Sequence, residues 1–388
     1  MKIKTIQKKG YEGKQAAIVV KYGGADFIHQ LQDGSIVEMP AGIAHFLEHK
    51  MFEDPELNMF EEFTKLGASV NAYTHFTHTV YYFNTIDNFH ESLELLLRLI
   101  EKPHFTDDNV EKEKGIILSE IDMYADNPFW QVYTGLHRAL FLNSSLRHDI
   151  LGTSESVRSI SANQLSECHR HFYCPENMAL ICVGDFEESF RHPILNNLSD
   201  CMATTIQKSE PANAAASFIE KQMPVAMPIF QVGFKAVYDE IITPTTLAAS
   251  GILADMLAGE SSEIYSNLYD EGLIDNQFTA EYIGGTTYGI FLFSGMSPNP
   301  ESVMDHILKA KLDENRFEII KSKSIGRFMR AMNSIETISS IQADLFTRNQ
   351  NIEDIIEALK TVTLNDVKTQ FSNYMRKEAC ALSKVTPG

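Results

Sequence analysis

Ten residues, AHFLEHKMFE from Ala44 to Glu53, constrain this chain more than any other stretch, because they set His45, Glu48 and His49 between Pro40 and Pro55. Proline marks helix boundaries, so the spacing predicts a helix over Gly42 to Phe52. Residues four apart share one helical face, so His45 and His49 can present both imidazoles to a single ion. Glu48 stands at the edge of that face. Two neutral imidazoles with a carboxylate beside them suit a catalytic zinc, the carboxylate being placed to take a proton from bound water. The order is the reverse of H-E-x-x-H and matches the H-x-x-E-H pattern.

A catalytic zinc takes a third protein ligand and leaves its fourth position to water. Thr106 with Asp107 and Asp108 signals the start of a long helix running to about Tyr124, closed by Asn127-Pro128. Within it Glu113 and Glu120 are seven apart, two helical turns, with Ile117 between them. Glu120 reads as the third ligand and Glu113 as a supporting carboxylate.

The rest of the first half alternates strand and helix signals. Ala16 to Tyr22 is an apolar strand, a helix begins near Leu57 and stops at Gly67, and Ala68 to Thr85 reads as one long strand or a hairpin. A helix over His90 to Ile100 follows. Composition turns small and polar over Asn196 to Ser217, the expected linker between a first domain, 1–195, and a second, 218–388. Two domains fit the 388 residues at roughly 100–200 residues each. At an offset of 202, Ile160, Ser161, Asn163, Leu165 and Phe172 correspond to Val362, Thr363, Asn365, Val367 and Tyr374. This is either an internal duplication or the general likeness of capped amphipathic helices.

Charge narrows the function. With 33 Lys plus Arg against 52 Asp plus Glu the net charge is 33 − 52 = −19, the opposite of the basic footprint that a phosphate backbone demands, so nucleic acid is not an expected partner. No apolar run of membrane-spanning length and no signal-peptide pattern occurs, so the expectation is cytoplasmic, without a membrane partner. Cys168, Cys174, Cys182, Cys201 and Cys380 are odd in number and scattered, and read as reduced thiols. No phosphate-binding Gly-rich loop or G-x-S-x-G elbow is present.

AHFLEHKMFE, NAYT and EKEKGIILSE, in that order, resemble the pitrilysin/insulinase metallopeptidases, in particular small bacterial members similar to the mitochondrial processing peptidase. CPENMALICVGDF (Cys174 to Phe186) resembles the strand that ends their first domain, and SSEIYSNLYDEGLI (Ser261 to Ile274) resembles a segment of their catalytically silent second domain. The resemblance implies an α+β fold of two similar α/β domains, each a mostly antiparallel sheet packed with helices, forming half of a clamshell. It implies that His45, His49 and Glu120 bind zinc, that Glu48 is the general base, and that Glu113 assists. Asn71 and Ala72 match residues that hold the peptide substrate as an added strand. Active relatives carry an Arg and a Tyr around the Gly-Leu of the second-domain motif. Here Tyr269 stands where the Arg is expected, and Asp275 lies near the Tyr position. The expected enzyme is therefore a dimer, in one form a heterodimer with a paralogue that carries the Arg and Tyr. The alternatives are a non-catalytic peptide-binding subunit or scaffold, and a zinc hydrolase of non-peptide substrates.

Several other groups read as structural. His75 and His78 have opposite strand parity and should not face one ion. The CHRHFYC cluster, Cys168 to Cys174, has the spacing of no usual zinc knuckle and reads as a helix end with core cysteines. Phe129, Trp130 and Tyr133 pack, or else line a peptide pocket, and the basic run Lys321 to Arg330 is a solvated helix face.

Overall fold

The computed structural model describes residues 1–187, 198, 200–206 and 208–388; of the expected first domain and linker, residues 188–197, 199 and 207 lie outside the described residues. In the first half the strands are β1 (Lys2–Gln7), β2 (Lys14–Val20), β3 (Ile28–Leu31), β4 (Ile36–Glu38), β5 (Ser69–Thr74), β6 (Thr79–Thr85), β7 (Met178–Gly184) and β8 (Ala203–Thr205). Helices α1 (Ile43–Lys50), α2 (Met59–Lys65), α3 (Phe89–Glu101), α4 (Asp107–Ala125), α5 (Pro128–Leu140), α6 (Ser154–Ser159) and α7 (Ala162–Phe172) fall among them. The second half carries β9 (Phe218–Met223), β10 (Ile229–Val237), β11 (Thr279–Gly284), β12 (Tyr288–Met296) and β13 (Cys380–Pro387). Its helices are α8 (Pro244–Ala258), α9 (Glu263–Asp270), α10 (Pro300–Leu308), α11 (Phe317–Ala331), α12 (Ile335–Thr347), α13 (Ile352–Thr361) and α14 (Leu364–Tyr374). The stretch left open as one strand or a hairpin is a hairpin, β5 paired antiparallel to β6.

Each half of the chain builds a five-stranded, mostly antiparallel sheet packed with helices, as the α+β expectation requires. The first has the order β1-β7-β2-β6-β5 and the second β9-β13-β10-β12-β11, with the outer β1–β7 and β9–β13 pairs parallel. Strand for strand in chain order, these are the same topology. The helices α7 and α14 repeat the likeness, because each begins with a reciprocal capping box, Ser161 with Gln164 and Thr363 with Asp366. Their matching stripe residues Leu165 and Val367 are fully buried. Duplication explains both observations, and capping alone does not explain a shared strand order.

Two compact units result, and neither follows one continuous stretch of chain. The first comprises Met1–Ile121, Asp149–Gln207 and Ala331–Asn349, and the second comprises Asp122–His148, Lys208–Arg330 and Gln350–Gly388. An apolar sheet face has to be covered by a helix. In the second unit α5 lies on β9, β10 and β13, burying Val132, Leu136 and Leu140. In the first, α12 covers β2 and β7.

Two expectations are corrected. Cys174 and Cys201 are joined in a disulfide rather than reduced; β8 pairs back on β3 and carries Cys201 to within 5.3 Å of Cys174, Cα to Cα. Spacing along the chain does not reveal that return. His75 and His78 lie in the turn between β5 and β6, where strand parity does not apply, and their rings come together at 5.2 Å. The basic run on α11 is partly engaged: Lys323 and Arg327 both reach Asp255 at 3.2 Å.

In the second unit Glu210 is buried against the fully buried Lys235 and accepts the backbone N–H groups of Leu142, Asn143 and Ser144 at 2.8 Å. Burial would raise this carboxyl, but Lys235 and the three amides hold it below the ordinary range. Its stabilisation is therefore complete above the usual carboxylate pKa and is lost as pH falls through the lower, folded value. Glu210→Ala should cost about 3–5 kcal/mol in chemical denaturation at neutral pH, because it strands a buried ammonium. A cost under about 1 kcal/mol would show that water reaches Lys235.

Candidate metal centre

Helix α1 owes its position to two glycines. Gly42 caps it with φ +90°, and a Cβ there would meet the Leu151 carbonyl oxygen at 2.4 Å. Gly152, at φ +77°, similarly leaves no room for a Cβ against the Ala41 carbonyl oxygen. These bare backbones let the two segments pass in contact. One face of α1, with Ile43, Phe46 and Leu47, is buried in the core of the first unit. The same winding sets His45 and His49 side by side, ring centroids 4.6 Å apart.

Helix α4 brings the carboxylates. Val110 and Ile117 seat it in the same core, and the two-turn spacing then places Glu113 and Glu120 beside α1. Glu120 Oε2 lies 3.7 Å from His45 Nε2 and 3.6 Å from His49 Nε2. Zinc bonds of roughly 2.0–2.2 Å at a tetrahedral angle separate ligand atoms by roughly 3.3–3.6 Å, so Glu120 stands near ligand spacing from each imidazole, and all three atoms lie within 4.8 Å of one another. Burial, with His49 beside it, pushes His45 down to about 3, which leaves it the neutral imidazole a metal requires. Burial also lowers His49, but Glu113, Glu48 and Glu120 around it outweigh that and raise it. The residues present fit a zinc ion.

Glu113 does not join the trio. Its Oε1 accepts His49 Nδ1–H at 3.0 Å, which fixes the ring and turns Nε2 toward Glu120. Burial would raise Glu113, yet His49 and Lys50 hold it below the usual range. Glu48 stands apart as well: Thr74 Oγ1 donates to its Oε2 at 2.6 Å. Thr79 donates its own hydroxyl to the Tyr22 carbonyl, so toward Thr74, 3.4 Å away, it can only accept, and the Glu48 carboxylate is the much closer acceptor for the Thr74 proton. Burial raises the Glu48 carboxyl, against the opposing pull of Thr74 and His49. A raised carboxylate is better matched to proton transfer near neutral pH.

A cavity of about 480 Å³ opens beside these groups, lined by Glu48, His49, Phe52, Phe60, Asn71 and Glu113 among others. Its volume lies in the range of small-ligand sites. Strand β5 is the edge of the first sheet and carries Asn71 and Ala72; Asn71 Oδ1 accepts the Ala72 N–H at 2.8 Å. Sequence reasoning missed Thr74 and Lys50. Thr74 sits inside NAYT, two residues from Ala72 and hence on its face of the strand; Lys50 gave no signal, since a lysine ending a helix is ordinarily solvated.

The other sequence candidates disperse. Cys168 meets the Tyr22 hydroxyl at 3.2 Å, His169 the Ile100 carbonyl at 2.9 Å, and His171 meets His29 at 3.2 Å. Trp130 packs with Tyr124 and Tyr133, while Phe129 is exposed. In the second unit Tyr269 is exposed and stacks on Tyr265, and Asp275 caps the Gln277 amide at 2.9 Å. Neither supplies a cation.

Three converging side chains would leave one position of a tetrahedral ion open, as in catalytic metal sites and unlike the closed four-ligand sites that only brace a fold. Among the described residues the second unit has no such cluster. A candidate metal centre in one of two like-built units is the class that fold and site define. Residues 30–154 match the family model "Insulinase (Peptidase family M16)", and residues 159–322 match "Peptidase M16 inactive domain". The zinc protease YmfH of Bacillus subtilis, itself uncharacterized, is 34% identical over 98% of this chain and 93% of its own. The mitochondrial-processing peptidase subunit beta of Dictyostelium discoideum is 31% identical over 40% of this chain and 34% of its own. A crystal structure described as an M16-like peptidase, from Alicyclobacillus acidocaldarius, superposes with a TM-score of 0.91 at 33% identity, covering 100% of this chain and 96% of that one. The chain belongs to peptidase family M16, the insulinase family.

Proposed function

We propose that the protein is a zinc endopeptidase acting on peptides or unfolded segments, with His45, His49 and Glu120 as the zinc ligands. The convergence of those three side chains, with Glu48 free of the trio beside a cavity, carries the reading. When bound, zinc polarises the scissile carbonyl and acidifies a water. Glu48, held through Oε2 by Thr74, accepts a proton from the attacking water and passes it to the nitrogen of the breaking C–N bond. Glu113 holds the His49 ring in its ligating tautomer. Asn71 and Ala72 on the β5 edge take the peptide as an added strand, recognising backbone with little regard to sequence. The first unit is the catalytic domain expected over 1–195, and the second is the silent one expected over 218–388, although neither is one continuous stretch.

Tyr269 and Asp275 give the developing oxyanion no fixed cation, a contribution of about 2.7–4 kcal/mol where single donors have been removed in other enzymes. The working assembly is therefore a dimer completed by a paralogue with the Arg and Tyr. The same absence favours a second reading, a non-catalytic peptide-binding subunit. A mixed quenched-fluorescent peptide library, set against small esters and amides, decides among them, using the zinc-loaded chain alone and with a neighbouring paralogue. Peptide turnover that rises strongly with the paralogue is expected. Turnover of esters without peptides would replace the peptidase by another zinc hydrolase, and silence in both assemblies would leave the non-catalytic subunit.

A further inference from the structure

We infer that Lys50 is a positioning residue for the metal site, holding Glu113 on His49 and fixing the start of α4 against the end of α1; the inference rests on the metal-site reading above. Lys50 is the last residue of α1, and its side chain is wholly buried. An unpaired ammonium in that position would be costly, so its partners decide what it does. It has three N–H donors and finds three acceptors. One is Glu53, three residues on; the second is the Asn109 carbonyl in the first turn of α4, at 3.3 Å; the third is Glu113 Oε2, at 3.7 Å.

The Glu113 carboxylate is thus shared. One oxygen faces Lys50 and the other takes the His49 Nδ1–H at 3.0 Å, so the ammonium prevents the carboxylate from rotating away from the imidazole. His49 and Lys50 are adjacent on α1, while Asn109, Glu113 and Glu120 follow one another on α4. A cation bonded to the first two of these sets the axial position of the helix, and with it Glu120, which lies about 10 Å of helical rise beyond Glu113. Lys50 thereby acts on two ligands without touching the ion. Were it merely an interhelical ion pair, its loss would lower fold stability and leave the metal's affinity unchanged.

The test is zinc affinity, by competition with a chromogenic chelator at fixed pH, for the full chain and for Lys50→Met, Glu113→Gln and the double variant. Lys50→Met should bind zinc roughly 10–100-fold more weakly, the usual loss when the partner of a ligand is removed. The double variant should lose less than the sum of the two single losses, because part of the Lys50 effect runs through Glu113. Wild-type affinity in Lys50→Met, or fully additive losses, overturns the inference. If Lys50→Met does not fold, Lys50→Gln is read in its place: it keeps donors in the pocket but ends one bond short of Glu113, and wild-type affinity there is equally fatal. Peptide turnover plays no part, so an inactive chain leaves the test intact. A wild-type chain that takes up no zinc overturns the metal-site reading and this inference together.

Discussion

Glu48→Gln is expected to keep one zinc per chain while peptide turnover, in whichever assembly shows it, falls roughly 10²–10⁴-fold, the range assigned to a positioned general base. The physical case is the separation of roles within one helix. His45, His49 and Glu120 bring three ligand atoms within 4.8 Å of one another without Glu48, whose Oε2 is engaged by Thr74. Glutamine has the same shape and can still accept that hydrogen bond, but its amide does not take a proton from water. Metal content by atomic spectroscopy and turnover on the peptide library are measured on the same preparation. Retained turnover removes Glu48 from the chemistry; lost zinc makes it a ligand. The wild-type profile adds a second reading. Burial raises the Glu48 carboxyl, and a base must be ionised to work, so turnover should rise with pH through a midpoint above the ordinary carboxylate range.

His45→Ala should abolish stoichiometric zinc binding, with a loss of affinity larger than the roughly 10–100-fold that follows removal of a ligand's partner. His45 is buried, and burial with His49 beside it holds it neutral, so the native site offers this nitrogen to a metal with little competition from protons. Alanine removes one of the three candidate ligand atoms and leaves His49 and Glu120, one short of the three protein ligands a catalytic zinc takes. Acidification should release zinc from the wild-type chain as well, because His49 and Glu120 both bind protons more readily than the free side chains do. Equilibrium dialysis of wild type and variant at two pH values reads both effects. Unchanged zinc content in His45→Ala would overturn the ligand assignment.

The helices that carry these groups were legible because their spacing is local. A spacing of four from His45 to His49, and of seven from Glu113 to Glu120, fixes a shared face whatever the chain does elsewhere. Pro40, Pro55 and Gly67 bound the first elements for the same reason, since a missing N–H or a positive φ acts on the backbone where it stands. Strand parity failed for His75 and His78 because a turn interrupts the hairpin, and alternation is lost at the first residue that leaves the ladder. The disulfide was missed because Cys174 and Cys201 meet only when β8 adds to β3.

What the sequence by itself determined is the shared face on which each helix carries its candidate ligands, the acidic balance, and a faint likeness between the chain's two halves. Only the tertiary structure decided that α1 and α4 meet with Glu120 between the imidazoles, that Thr74 holds Glu48, that Lys50 is buried on Glu113, and that α5 and α12 each serve a different unit from their neighbours in the chain. The physical reason is range. Backbone geometry and side-chain periodicity are properties of a few consecutive residues, whereas a buried charge or a covering helix is placed by which apolar faces find each other, and that competition is settled over the whole chain at once.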